Sequence, residues 1–171
     1  MPDHSYRDIT EHEYHKDSIL FISLYSNWAE GIQINGSFID SLGYVYKFNF
    51  DGMDIQELCK EREKTDEYAF DDALLDSLYY DVYYKEKPFA KVDSDEIIDI
   101  YMEQYGIGAE SQMEKESVGC DMGQRSLYVL DTGKWELIQL RTSGDWEGFL
   151  DDECAIDMCE RFDSLEYETI E

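Results

Sequence analysis

The stretch Ile19-Leu20-Phe21-Ile22-Ser23-Leu24-Tyr25 is apolar at every position but Ser23 and reads as a largely buried strand. It is far too short to span a bilayer. After Ser26-Asn27-Trp28, the run Ile32-Gln33-Ile34-Asn35 alternates, and Phe38-Ile39 carries it past Gly36. Asp40-Ser41-Leu42-Gly43 is a turn. Tyr44, Tyr46, Phe48 and Phe50 then recur at every second residue, with Lys47 and Asn49 on the opposite face. Together these segments predict a three-stranded antiparallel meander over the first third of the chain.

Outward from that meander, Asp54 and Glu57 have capping-box-like spacing ahead of Leu58 and predict a helix start. A second helical signal covers about Thr65 to Tyr84, where Phe70, Leu74, Leu78 and Val82 repeat every four residues, and Pro88 closes it. Asp93 and Glu96 repeat the capping spacing before Ile97, Ile98, Tyr101 and Tyr105, with Gly106 as the stop. Residues 107–124 are polar and contain glycine, and read as loop. A hairpin follows: Leu127 to Leu130, the turn Asp131-Thr132-Gly133-Lys134, then Trp135 to Leu140, broken at Thr142 to Asp145. Cys154, Ala155, Met158, Cys159 and Phe162 mark one face of a C-terminal helix. The order of elements predicts a single α+β domain over 1–171: an antiparallel sheet of about five strands, the meander plus the C-terminal hairpin, with helices packed on one side. Residues 1–17 read as an N-terminal arm or short helix and 164–171 as an acidic tail.

Charge sets the functional expectation. The chain carries 41 Asp plus Glu against 14 Lys plus Arg, a formal net charge of −27 over 171 residues, while 43% of it is hydrophobic. With 14 Tyr, 8 Phe and 3 Trp there is enough apolar mass for a packed core, so the charge belongs to a folded body rather than to a disordered acidic chain. Self-repulsion on this scale destabilises a compact state, and solubility alone asks for a net charge of only about 2–8 on a small domain. The excess points to a strongly basic partner and disfavours direct binding to nucleic acid or an anionic membrane. Met1-Pro2-Asp3-His4 does not open a secretory signal. Cys59, Cys120, Cys154 and Cys159 are therefore expected as reduced, mostly buried thiols in a cytoplasmic protein, although two disulfides would be open to them in an oxidising compartment.

Residues 63–84 interleave Glu63, Asp66, Glu67, Asp71, Asp72, Asp76 and Asp81 with Tyr68, Tyr79, Tyr80, Tyr83 and Tyr84, against the lone Lys64 before Tyr84. Helical positions three or four apart lie about 5–6 Å apart at Cβ, which pairs Asp72 with Asp76 and brings Tyr79, Tyr80 or Tyr83 close. Such a row resembles consecutive phosphates along a strand, with tyrosine rings standing where bases stack. The same residues also read as a solvated helix face whose tyrosines are half core. In 145–171, which include Asp145, Glu147, Asp151, Asp152 and Glu153, Arg161 is the only cation, an imbalance that favours a positive partner. Trp146, flanked by charges, is a candidate exposed anchor. The candidate partner-binding set is thus Glu67, Asp71, Asp72, Asp76, Tyr79, Tyr80, Asp81, Tyr83, Trp146, Asp151, Asp152 and Glu153.

Catalytic signals are weak by contrast. Carboxylate pairs such as Asp71/Asp72 or Asp151/Asp152 arise by chance in so acidic a chain. His12-Glu13-Tyr14-His15 is one residue short of the HExxH spacing, and a metal site shared with His4 is the alternative to chance placement. Cys154 and Cys159 match neither a CxxC redox pair nor a zinc knuckle, and no glycine-rich phosphate loop, GxSxG or dinucleotide fingerprint occurs. The expectation is a non-enzymatic protein without cofactor or metal.

In size, acidity and mixed α+β pattern, carried by segments 63–84 and 145–171, the chain resembles the phage-encoded anti-CRISPR proteins, several of which look like acidic decoys for nucleic acid. The resemblance implies an inhibitor in the bacterial host cytoplasm that sits in the positively charged channel of a CRISPR effector nuclease and blocks target-DNA binding. Its carboxylates would pair with arginines that hold phosphate or read guanine. The chain also resembles toxin-immunity proteins, which implies a plug for a basic nuclease toxin with fast, salt-sensitive association. A metal-dependent hydrolase and an acidic housekeeping domain are the readings from other classes. The expected partner is a basic nuclease or nuclease–RNA complex, and the expected state a monomer or weak homodimer.

Overall fold

In the computed structural model, which describes residues 19–27, 33–51, 74–75, 77–131 and 136–171, the run quoted above becomes the middle of a large sheet. Strands β1 (Ile19–Asn27), β2 (Gln33–Asp40) and β3 (Tyr44–Asn49) form the expected meander. They are followed by β4 (Ala90–Lys91), β5 (Met113–Ser117), β6 (Gln124–Asp131), β7 (Glu136–Gly144), β8 (Trp146–Leu150) and β9 (Glu168–Thr169). The spatial order is β5-β8-β7-β6-β1-β2-β3-β4-β9, antiparallel at every pairing. The expected hairpin is β6–β7, and its second strand continues to Gly144 rather than breaking at Thr142.

The sheet is larger than the expected five strands: nine are present among the described residues. The additional ones lie toward the margins. There Met113-Glu114-Lys115-Glu116-Ser117 is almost wholly exposed, and β4 and β9 are two residues each, so backbone pairing rather than apolar patterning makes them strands. β5 corrects the loop expected over 107–124. The segment 164–171 is likewise no free tail: Leu165 is buried, Lys91 pairs with Glu168, and Ile170 N donates to Phe89 O at 2.9 Å. The expected arm over 1–17 and the helix start at Asp54 lie outside the described residues.

Cover comes from both faces, which corrects the expectation of helices on one side only. On one face, Phe21, Ile39, Val45, Leu127, Val129 and Leu140 pack with helix α1 (Ser94–Met102) and helix α2 (Glu153–Asp163) through Ile97, Ile100, Tyr101, Ala155 and Met158. On the other, Ile22, Leu24, Ile34, Phe38, Tyr46, Phe48 and Leu130 pack with Leu74, Leu75, Leu78, Tyr79 and Val82. Leu74 and Leu75 are helical, and Leu78–Tyr83 is a π-helical turn with Tyr84 N donating to Tyr79 O at 3.2 Å. The four-residue repeat Leu74, Leu78, Val82 is thus the buried face of that segment. Neighbouring residues of one strand serve opposite cores, as Val45 and Tyr46 do, because successive side chains point to opposite faces. A bulge between Ile19 and Phe21 adds one residue to β1, so that Leu20 and Phe21 both join the helix-side core.

The β2–β3 turn is built on Asp40, which is buried yet accepts from Leu42 N at 3.0 Å and Tyr44 N at 2.8 Å through Oδ1, and from the Tyr83 hydroxyl at 3.0 Å through Oδ2. Gly43 has φ +86°, and a Cβ there would stand 2.3 Å from Val92 O. Gly43→Ala is therefore expected to lower the unfolding free energy by more than about 1 kcal/mol, read from urea denaturation, because both the dihedral and the space exclude a side chain. An unchanged midpoint would contradict that reading of the turn.

Candidate functional site

Helices α1 and α2 start where the sequence supplies caps. Asp93 accepts from Glu96 N at 2.9 Å, and Asp152 accepts from Cys154 N at 2.9 Å and Ala155 N at 3.2 Å. Each helix turns its apolar stripe to the sheet, which leaves the remaining positions to solvent. On α1 these positions include the exposed Asp95, Glu96 and Asp99, followed by the partly exposed Glu103 in the 3-10 turn Glu103–Gly106. On α2 they include Glu153, Asp157, Glu160 and Asp163. Residues 93–103 contain no Lys or Arg, and 151–163 contain Arg161 alone.

That arginine is already engaged. Arg161 donates through Nη2 to Asp99 Oδ2 at 2.6 Å and through Nη1 to Glu103 Oε1 at 2.7 Å, tying α2 to α1 and the turn that follows it. Arg141 of β7 forks onto Asp163, Nη1 to Oδ2 at 2.5 Å and Nη2 to Oδ1 at 2.6 Å. Both guanidinium pKa values rise as a result, and Asp163 is held below the usual carboxylate range by its hydrogen bonds from Arg141. Glu103 moves the other way: burial, then the adjacent Asp157 carboxylate, push it up against the opposing pull of Arg161. The helix layer consumes its cations internally and presents carboxylates outward. Among them stand the exposed apolar side chains Met102, Tyr105 and Ile156.

The sequence-derived candidates divide sharply. Glu67, Asp71, Asp72 and Asp76 lie outside the described residues, as does the side chain of Tyr80. Tyr79 is a correction: it is fully buried, and its hydroxyl accepts from Ile19 N at 2.9 Å, so it belongs to the core and not to a contact surface. Tyr83 is half-buried, packs on Tyr46 with ring centroids 5.2 Å apart, and spends its hydroxyl on Asp40. Asp81 is exposed and pairs with Lys85 at 3.5 Å. Asp152 is the second correction, because its carboxylate also receives Gly108 N and the Ser111 hydroxyl, each at 2.9 Å, and joins the 108–111 loop to α2. These donors, the Gly108 amide first, hold its pKa below the usual range. Trp146, Asp151 and Glu153 are exposed as expected, with Trp146 at the start of β8. Among the described cysteines, Cys120 is exposed rather than buried and Cys154 and Cys159 are half-buried free thiols, while Cys59 lies outside the described residues.

Asp95, Glu96, Asp99 and Glu103 escaped the candidate set although the absence of any cation from 93–103 marks them as clearly as the C-terminal imbalance does. A cap and an exposed carboxylate look alike in sequence. No family model matches the chain, and no curated protein or solved structure matches it. Among the described residues, no helix is long and apolar enough to cross a membrane.

Asp152→Ala should cost about 0.5–2 kcal/mol from the lost cap alone in chemical denaturation. Since the folded-state pKa of Asp152 is depressed, its contribution is complete above the ordinary carboxylate range and disappears as pH falls through the folded value. The variant's deficit should therefore shrink in acid. Glu103 has the opposite sign: its raised pKa means that ionisation weakens the fold as pH rises through the folded value. Stability of Glu103→Gln relative to the native chain should accordingly increase with pH across the carboxylate range. A flat difference would mean that the pair with Arg161 balances burial and Asp157, and a difference that falls with pH would mean that it outweighs them.

Proposed function

We propose that this protein is an inhibitor that lays its acidic helix layer into the nucleic-acid-binding cleft of a basic protein. The observation that carries the reading is the internal consumption of Arg161 and Arg141, which leaves Asp95, Glu96, Glu153, Asp157 and Glu160 as outward charge on two helices packed to one sheet face. Carboxylates fixed on packed helices meet arginine and lysine without first being ordered, so the entropy of immobilising them is largely spent in folding. Tyr105, Met102 and Ile156 add apolar contact within the same layer, which suits a protein cleft better than a solvent-facing role.

The first candidate target is a CRISPR effector nuclease, whose channel holds a guide–target duplex through its backbone. An immunity protein against a nuclease toxin uses the same mechanism on a different cleft. Charge complementarity of this kind accelerates encounter and is screened by salt.

Titration against an effector with and without guide RNA, scored by target-DNA gel shift, is expected to give binding at about nanomolar level in low salt that weakens steeply as salt rises. Reversal of Asp95, Glu96 and Glu160 to Lys should weaken it by about 2–5 kcal/mol, because each reversed charge faces a desolvated cation. Binding by a toxin nuclease alone selects the immunity reading. Unchanged affinity on charge reversal moves the interface off the helix layer, and no response from either target class removes inhibition altogether.

A further inference from the structure

A second acidic surface adjoins the C-terminal helix, where β5, β8 and β7 run side by side at one end of the sheet. Register places Glu114, Phe149 and Arg141 in one row across the three strands, and Glu116 beside Glu147 two residues along, on the same face. These residues line a groove of about 750 Å³ that also takes in Lys115, Ser143 and Asp151. Phe149 is 55% exposed there, an unusual position for a phenylalanine on a regular strand. Arg141 is held at both terminal nitrogens by Asp163, and Lys115 is outnumbered by the lining carboxylates Glu114, Glu116, Glu147 and Asp151, so the groove stays net negative.

Exposed aromatic surface and carboxylates make opposite demands on most ligands. An apolar side chain would strand the glutamates, and an anion would be repelled by them. A guanidinium satisfies both, since its plane stacks on a ring face while its edge donates to carboxylate oxygens. The geometry points to the β5–β8–β7 groove as a docking site for an arginine-bearing segment of the partner protein, the guanidinium stacking on Phe149 and donating to Glu114, Glu116 or Glu147. The inference deepens the inhibitor reading and rests on it for the partner's basic character. It adds a second contact, built on the sheet, to the one on the helices.

The probe is a short peptide alternating arginine with glycine, titrated into the full chain at low ionic strength and followed by amide NMR, with the same peptide carrying citrulline for arginine as control. Shifts are expected to concentrate at 114–116 and 147–149, and the citrulline peptide to lose binding. Phe149→Leu, which keeps apolar area and removes the ring, should weaken the arginine peptide roughly fivefold. Glu147→Gln should weaken it further, while Asp95→Asn with Glu96→Gln on the helix layer should leave it unchanged. Absence of binding, shifts centred on α1 and α2, equal binding of the citrulline peptide, or native affinity in Phe149→Leu would each overturn the assignment. The two readings fail separately. A nuclease bound and inhibited equally by the Phe149→Leu, Glu147→Gln variant removes the groove and keeps the inhibitor. A peptide seated in the groove of a chain that inhibits no nuclease does the reverse.

Discussion

Strand β1 carries apolar side chains on both faces, so the chain must cover the sheet from each side; α1 and α2 supply one cover, and Leu74, Leu75, Leu78, Tyr79 and Val82 the other. Ile19, Leu20, Phe21, Ile22 and Leu24 are all at most 4% exposed. Burial of such side chains contributes about 1.5–3 kcal/mol each. Losing either cover would therefore expose enough apolar surface to compete with a net stability of about 5–15 kcal/mol. Polar and charged groups are driven to the outer faces of the covers and to the sheet margins, and this is why the acidic surplus gathers where it does.

Helix electrostatics explain only part of that surplus. Carboxylates at the starts of α1 and α2, such as Asp95, Glu96 and Glu153, sit favourably at the positive ends of the helix dipoles. Glu103 and Asp163 sit at the opposite ends, where a cation would be the stabilising choice, and α1 has no basic residue in its last turn. Arg161 and Arg141 offset these two positions. On the same layer Glu160 is exposed and Asp157 stands beside Glu103, whose pKa it raises, so neither offsets a helix end. A sequence shaped for stability alone would interleave lysine here; the proposed inhibitor role would give the surplus a cationic partner instead.

The central architecture was legible because period-two runs and caps carry their own signal: Tyr44 to Phe50 announced β3, Leu127 to Leu140 announced the β6–β7 hairpin, and Asp93 with Glu96 announced α1. Reading one face of β3 hid the other, since Val45 stands alone between aromatic neighbours. Marginal strands were illegible for a different reason. Met113 to Ser117 has no buried face, and β4 and β9 are two-residue pairings that only the assembled sheet can specify. For the candidate surface, the imbalance of 145–171 was visible, but whether a carboxylate caps, as Asp152 does, or faces solvent, as Glu153 does, depends on which amides fold back onto it. The Phe149 groove joins residues 114–116 to the distant stretch 141–151 and had no linear signature.

Under the proposed inhibitor role, the protein and a polynucleotide compete for the same cleft of a basic target. Equilibrium binding of labelled target nucleic acid to a responsive nuclease, measured over a series of fixed concentrations of this protein, tests it most directly. Shared occupancy predicts that the apparent dissociation constant of the nucleic acid rises in proportion to the inhibitor concentration without limit. A plateau, with nucleic acid and inhibitor bound to the nuclease together, would contradict it.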